Sequence, residues 1–375
     1  MKIAIEAQRI FRLKKHGMDF VILEVLRQLQ QIDKTNEYFV LVASGPDRCL
    51  KSTANMHIIE IPAWGGYPVW EQVLMPMKLR EISPDLLHCT SNTAPLFSPC
   101  PLVLTLHDII FLEKQHYKNN SFYQNLGRIY RRLVVPRILP KCYKIITVSE
   151  YECERIGSFF HFDSSRITAI HNGFSDHFHP LDNVSAITAK YIDKEKFIFF
   201  LGNTDPKKNT LRTLQAYERY LKQSMVKLPL LIADLSATEI DNYLTQAKIG
   251  WIKPNLYMPG YIDNKDLPAI YSGAFAFLYT SLRESFGIPN LECMACGTPV
   301  ITSNTSAIPE VAGEGAIMVD PTDVEAIAAE LIRLENEEEY YKGAVEYGLE
   351  RVKQFSWKRT AEQTLSVYKE LDKVN

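Results

Sequence analysis

Tyr279-Thr280-Ser281-Leu282-Arg283-Glu284-Ser285-Phe286-Gly287-Ile288-Pro289-Asn290-Leu291-Glu292-Cys293-Met294-Ala295-Cys296-Gly297-Thr298-Pro299 reads as a strand end, a loop, a short helix, a glycine stop and the approach to a second strand. Proline suits the first helical position and glycine the position just past a helix end, which is where Pro289 and Gly297 fall. Such a turn delivers the amides of Phe286, Gly287 and Ile288 to a helix N-terminus, where unpaired N–H groups and the helix dipole favour an anion. Gly287 lets a phosphate approach the backbone closely. Taken alone, the stretch is better explained as an ordinary βα turn. Glu284 and Glu292 flank it, eight residues apart. That spacing corresponds to about 12 Å of helical rise, whereas paired acid/base hydrolysis of a glycoside needs carboxyls about 5–9.5 Å apart. The pair suits gripping two parts of one long ligand, with an anion between them.

Outward from this turn, short apolar runs alternate with helical patterns along all 375 residues. The first half holds Lys2–Glu6, Tyr38–Val42, His57–Ile61, Leu86–His88, Leu102–Leu106, Lys144–Val148 and Ile167–Ile170. The second holds Phe197–Leu201, Leu228–Ala233, Ala274–Tyr279, Pro299–Thr302 and Ala316–Val319. This alternation predicts βα units and parallel sheets. Asp19–Gln31 and Asp323–Leu334 carry amphipathic helical patterns, the first with Phe20, Val21, Leu23, Val25, Leu26 and Leu29 on its apolar face. Polar sequence at 172–193 marks a boundary between two strand-rich halves. The reading is α/β, with two Rossmann-like domains facing each other across a cleft and a ligand between the carboxyl ends of both sheets.

Lys plus Arg number 42 against 44 Asp plus Glu, a formal net charge of −2, which removes the case for a nucleic-acid binder. No run approaches the ~18–20 apolar residues of a membrane span, and the N-terminus reads directly into a strand. Seven scattered Cys argue against a disulfide framework and for a cytoplasmic location.

The Glu284-x7-Glu292 pattern, followed by Cys296-Gly297-Thr298-Pro299-Val300 and Ile308-Pro309-Glu310-Val311, resembles the family-4 retaining glycosyltransferases of the GT-B fold. Phe200-Leu201-Gly202-Asn203-Thr204-Asp205-Pro206-Lys207-Lys208-Asn209 is similar to that family's donor-domain phosphate loop, and Leu104-Thr105-Leu106-His107-Asp108 to its acceptor-domain strand ending in a functional His. His171-Asn172-Gly173, Gly260-Tyr261-Ile262 and Tyr271-Ser272-Gly273-Ala274 extend the likeness over nearly the whole chain.

The resemblance implies an acceptor-side domain at 1–175, a nucleotide-sugar domain at 176–355, and a helix over 356–375 that crosses back to the first domain. It implies that Glu292 holds the nucleotide ribose, that Glu284 meets the donor sugar's hydroxyls, and that the 286–288 amides bind diphosphate or sugar. Lys208 would neutralise the leaving diphosphate, His107 would touch the donor sugar near the reacting centre, and Gly17 would bring a helix N-terminus towards phosphates or acceptor. Asn203 stands where the family often has Arg, which leaves phosphate charge to Lys208 and the amides, with Lys207 or Arg283 as substitutes. Ser285 replaces a frequent glycine in the donor turn.

The implied activity is transfer of a hexose, with mannose from a GDP donor the first choice. The implied acceptor is a glycan or lipid-linked glycan of bacterial surface polysaccharide synthesis, reached without metal or other cofactor. A nucleotide-sugar 2-epimerase of the same architecture and a non-catalytic glycan-binding protein remain as alternatives.

Cys293 and Cys296 have redox-motif spacing but read as packing residues. His171, His177 and His179 lack the carboxylate pattern of a metal site. The segment 114–149 contains no acid and carries Lys114, Lys118, Arg128, Arg131, Arg132, Arg137, Lys141 and Lys144, with Phe122, Leu126, Ile129, Tyr130 and Leu133 at helical spacing. The stripe Arg128–Lys144 is either a peripheral contact with the anionic inner face of a membrane or a solvated helix whose apolar side is core.

Overall fold

The computed structural model describes residues 1–112, 122–313 and 316–372. The chain divides into two compact units: Met1–Gly173 with Trp357–Asn375, and Phe174–Ser356.

The first unit is built on a parallel seven-stranded sheet. Its strands are β1 (Lys2–Glu6), β2 (Glu37–Ala43), β3 (Met56–Ile61), β4 (Leu86–Cys89), β5 (Leu102–Thr105), β6 (Lys144–Thr147) and β7 (Ile167–Ala169), in the order β3-β2-β1-β4-β5-β6-β7. β1 pairs with both β2 and β4, so the order reverses beside it, the place where such sheets bind ligands. Glu6, at the end of β1, is fully buried; its carboxylate accepts from the amides of Gln8 at 2.9 Å and Thr90 at 3.2 Å. A buried acid is tolerated there because backbone donors surround it.

Gly17–Ile32 is a helix that buries Ile22, Leu23, Val25, Leu26 and Leu29. Phe20, expected on that face, is 42% exposed. The C-terminal helix Trp357–Asp372 belongs to this same unit. Tyr368 meets Nδ1 of His88 at 2.6 Å, Thr360 donates to the carbonyl of His171 at 2.7 Å, and Lys144 pairs with Glu370 at 3.2 Å.

The second unit carries a parallel six-stranded sheet: β8 (Phe197–Leu201), β9 (Leu230–Ala233), β10 (Leu256–Gly260), β11 (Ala274–Tyr279), β12 (Val300–Ser303) and β13 (Ile317–Val319), ordered β10-β9-β8-β11-β12-β13. β10 is the strand that sequence patterning misses. Its Pro259-Gly260 ending reads as a turn, and an edge strand is where a sheet admits proline. One face of the sheet packs Phe200, Ile232, Leu278 and Ile301 against Leu214 and Tyr217, and Phe199, Leu231 and Phe277 are buried on the other. Parallel strands buried on both faces appear in sequence as continuous apolar runs, which is why most were readable.

His88 makes this fold acid-sensitive. Burial, assisted by neighbouring His107, pushes its pKa down to about 3. Above about pH 6.5, folded and unfolded states both hold it neutral. Below that, the unfolded chain takes a proton that the folded chain refuses, so stability falls between pH 6.5 and 3 by up to about 4 kcal/mol. Thermal unfolding of His88→Gln should show a flatter acid-side slope than wild type; parallel slopes would rule out His88 as the source.

Candidate active site

The candidate donor turn is assembled from two loops of the second unit. Pro206–Lys208 forms a single 3-10 turn after β8, ended by Asn209 at φ 61°. The side-chain Nδ2 of buried Asn209 donates to the carbonyls of Thr280 at 2.9 Å and Pro321 at 2.6 Å. The amide of Leu282 donates to the carbonyl of Lys207 at 2.7 Å. These bonds lock the lysine loop against the end of β11. Across that junction Nζ of Lys208 reaches Oε1 of Glu284 at 2.6 Å and lies 5.6 Å from the centre of the Tyr279 ring. The Glu284 amide donates to Oγ of Ser306 at 3.0 Å, while Arg283 donates to the Glu284 carbonyl at 3.0 Å.

Gly287 caps the helix Ile288–Ala295 with φ 99°. A Cβ there would come within 3.0 Å of Nδ2 of Asn290 and 3.5 Å of the Tyr279 ring, so the turn requires glycine for conformation and for space. The amides of Gly287 and Ile288 donate to no protein acceptor among the described residues. The buried Phe286 side chain packs edge-on against Phe355, with centroids 6.0 Å apart. Ser285 is half-buried and Asn203 exposed, its side-chain Oδ1 accepting from the Asp205 amide at 2.8 Å. Lys207 is turned to Asp205 at 3.6 Å.

The two carboxylates sit in opposite electrostatic settings. Burial pushes Glu284 upward, but the Lys208 ammonium outweighs it and holds the acid below its usual value. Glu292 has no cation beside it; burial pushes it up to about 7, only partly countered by the Tyr271 hydroxyl. Tyr279, Asn209 and Tyr271 stand inside the motifs read from the sequence but had no role assigned to them there, and Ser306 lies outside every motif. They act by closing distances between residues remote in the chain.

In the first unit, His107 follows β5 and is buried. Its Nε2 lies 3.1 Å from the Thr90 carbonyl, which can only accept, so Nε2 carries the proton and Nδ1 remains an acceptor. Burial lowers its pKa, keeping the ring neutral at pH 7. Its amide donates to Oδ1 of Asn92 at 2.7 Å. Gly17 is the first residue of the helix Gly17–Ile32, with open space where a side chain would go. Asp19 in that first turn accepts from the His16 amide at 3.0 Å and pairs with Arg9 at 3.0 Å. A protein carboxylate thus already occupies part of that helix end.

Cys293 and Cys296 are buried free thiols, Cys293 bonding the Thr298 carbonyl at 3.6 Å, and burial pushes both pKa values up. Among the described residues no group of His, Cys, Asp and Glu is arranged for a metal ion. Lys114 and Lys118 lie outside the described residues, as does the Phe122 side chain. In the helix Phe122–Ile138 the buried apolar residues are Val134, Val135 and Ile138. Leu126, Ile129 and Leu133 are each 54% exposed.

A sheet order reversing beside its first strand in one unit, and a cation–carboxylate pair beside a glycine-capped helix in the other, define a two-unit α/β protein with an anion-receptive turn. The family comparisons agree. Residues 16–178 match Glycosyltransferase Family 4 and 187–351 match Glycosyl transferases group 1. The chain is 31% identical over 275 residues to O-antigen chain mannosyltransferase B of Escherichia coli, covering 71% of this chain and 70% of that one. It is 28% identical over 261 residues to O-antigen chain mannosyltransferase RfbU of Salmonella typhimurium, covering 69% and 67%. The sucrose-phosphate synthase of Thermosynechococcus elongatus superposes with a TM-score of 0.77 at 18% identity over the full length of both chains. WaaG, a glycosyltransferase involved in lipopolysaccharide biosynthesis, gives 0.72 at 12% identity over 97% of this chain and 99% of its own. The chain belongs to the family-4 glycosyltransferases and has the GT-B fold.

The two carboxylates can be separated by experiment. Glu292→Gln at pH 8 should weaken nucleoside diphosphate binding by about one to two orders of magnitude, the value of a charged hydrogen bond. Wild-type affinity should rise with pH through about 7 as Glu292 ionises, a dependence absent from the Gln variant. Glu284→Gln should bind diphosphate nearly as wild type while transfer falls sharply. Calorimetry paired with a transfer assay reads both; two variants indistinguishable from wild type would remove both acids from the site.

Proposed function

We propose that this glycosyltransferase moves mannose from GDP-mannose to a glycan or lipid-linked glycan, with retention of configuration, in bacterial surface polysaccharide synthesis. The observation that carries the donor reading is the Lys208–Glu284 contact beside the free amides of Gly287 and Ile288. A leaving diphosphate gains charge in the transition state, and a fixed ammonium with aligned N–H donors answers that charge. Glu284 then offers its remaining oxygen to sugar hydroxyls, and Glu292 holds the ribose. In the first unit, neutral His107 keeps Nδ1 as an acceptor for a sugar hydroxyl. The two mannosyltransferase relatives support the choice of sugar and of pathway.

No metal has a part in this scheme, since lysine and helix amides do the work a cation does elsewhere. Transfer should persist after exhaustive chelation; loss of activity restored by a divalent ion would refute the scheme. Incubation with GDP-mannose alone should leave the sugar unchanged, whereas a 2-epimerase would convert it without acceptor.

The reading extends to the inner face of a membrane. No described helix is long and apolar enough to cross one. The helix Phe122–Ile138 turns Leu126, Ile129 and Leu133 outward, with Arg132, Arg137 and Lys141 exposed around them. Phe97 is 82% exposed, with the Lys141 ammonium 5.0 Å from its ring. An apolar stripe rimmed by cations suits the boundary between acyl chains and anionic headgroups. Arg137→Glu with Lys141→Glu should reduce sedimentation with anionic vesicles, and high salt should reduce wild-type sedimentation. Equal sedimentation of both proteins at every salt concentration would return the helix to a merely solvated role.

A further inference from the structure

The helix Phe122–Ile138 turns an arginine inward. Arg131 precedes the buried Val134, Val135 and Ile138 at helical spacing, so it shares the face that this helix packs against the first unit. The exposed Leu126, Ile129 and Leu133 lie on the other side. Its neighbours Arg128 and Arg132 both donate Nε to the Phe111 carbonyl, at 3.2 and 2.7 Å. Arg131 instead reaches over the Phe111 ring, its Cζ 5.7 Å from the centroid, and its buried Nε meets no acceptor. Among the described residues its guanidinium makes no hydrogen bond and joins no ion pair. A guanidinium carries five donors, and leaving them unanswered away from water costs free energy.

A second cation stands near it. Arg9 follows β1, and its Nε lies 3.0 Å from Oδ1 of buried Asp19, whose other oxygen accepts from the His16 amide at 3.0 Å. The two terminal nitrogens of Arg9 donate to no acceptor among the described residues. Burial pulls the pKa of Arg131 down; Asp108 acts against that shift and Arg9 adds to it, so the two guanidiniums are close enough to repel. Asp108 does not neutralise them: its Oδ1 accepts from the Ile110 amide at 3.0 Å, and neither arginine forms an ion pair with it. Arg9 and Asp108 also act on His107, whose pKa burial lowers. Two like charges are thus gathered around the carboxyl ends of β1 and β5, beside the reversal in strand order.

We infer that Arg9 and Arg131 bind a phosphate group of the acceptor between them, so that the first unit takes a glycan carried on phosphate. Planar guanidinium forks match phosphate oxygens in pairs, and one tetrahedral dianion can answer two forks at once. A neutral glycan would leave both forks unmatched. The phosphate can belong to a lipid carrier or to a soluble sugar phosphate; the apolar stripe on the outer side of the same helix favours the lipid. The inference rests on the glycan acceptor proposed above.

Calorimetry of the full chain tests it, with inorganic pyrophosphate and geranyl diphosphate as probes and octyl mannoside as the neutral control, each titrated with and without excess GDP. Both anions should bind wild type with GDP present. Arg131→Gln and Arg9→Gln should each weaken them by about ten- to a hundredfold, the value of a lost charged hydrogen bond, while octyl mannoside and GDP bind as before. Arg131→Lys, which keeps the charge without the fork, should fall between. Arg131→Gln should unfold at the wild-type temperature or above, since no bond of the fold leans on its guanidinium. Geranyl diphosphate binding more tightly than pyrophosphate assigns the phosphate to a lipid carrier; equal affinities assign it to a soluble acceptor. Anion affinity undiminished in Arg131→Gln and Arg9→Gln overturns the inference. Should Arg131→Gln lose its fold, Arg9→Gln and Arg131→Lys carry the same comparison. Wild type that fails to bind GDP would count against the donor reading, and the titrations without GDP would still decide this one.

Discussion

The ion pair between Lys208 and Glu284 is the contact on which the donor site depends. It joins a loop after β8 to a loop after β11, and almost every neighbouring bond serves to hold those two loops in register. Asn209 bridges to Thr280 and Pro321, Leu282 bonds back to Lys207, and Ser306 takes the Glu284 amide. Burying either charge alone would cost several kcal/mol (on the order of what measured single-partner removals show), so the pair is stable only as a pair. On the proposed reading, a phosphate arriving at this lysine would meet an ammonium already held beside an anionic partner. The ammonium need not be stripped of solvent afresh, which is a form of preorganisation.

Two glutamates of one motif are thereby given different chemistry by their surroundings. Glu284 is kept ionised by a cation; Glu292 sits near half-ionisation at neutral pH because burial is opposed only by a tyrosine hydroxyl. Environment rather than residue type assigns the parts, as in other sites where like acids take unlike roles.

Much of this was legible in the sequence because parallel strands buried on both faces leave continuous apolar runs, and because the turn around Gly287 carries its own punctuation. What escaped was of two kinds. β10 ends in Pro259-Gly260, whose local meaning is a turn; its strand character comes from pairing with β9 at a sheet edge. Asn209, Tyr279 and Tyr271 take no role from the motifs they stand in, and Ser306 lies outside every motif, since each matters through a partner far along the chain. Periodicity also gives the face of a helix without saying what covers it. Phe20 and the Leu126–Ile129–Leu133 stripe fit helical spacing, yet both face outward. The direction of the basic helix was the question that only tertiary packing could answer.

The chain enters the second unit at Phe174 and returns to the first at Trp357. The second unit is therefore a continuous insertion between the two segments of the first. The first unit cannot close until the helix Trp357–Asp372 is made, because Tyr368 and Thr360 supply partners to His88 and His171. Until then Val21, Ile22 and Val25, which together with Thr360 and Thr364 line a cavity of about 30 Å³ beside His107, lack their cover. During synthesis the half that carries the histidine is the late one, and a nascent chain exposes that seam for the whole time needed to make the other half.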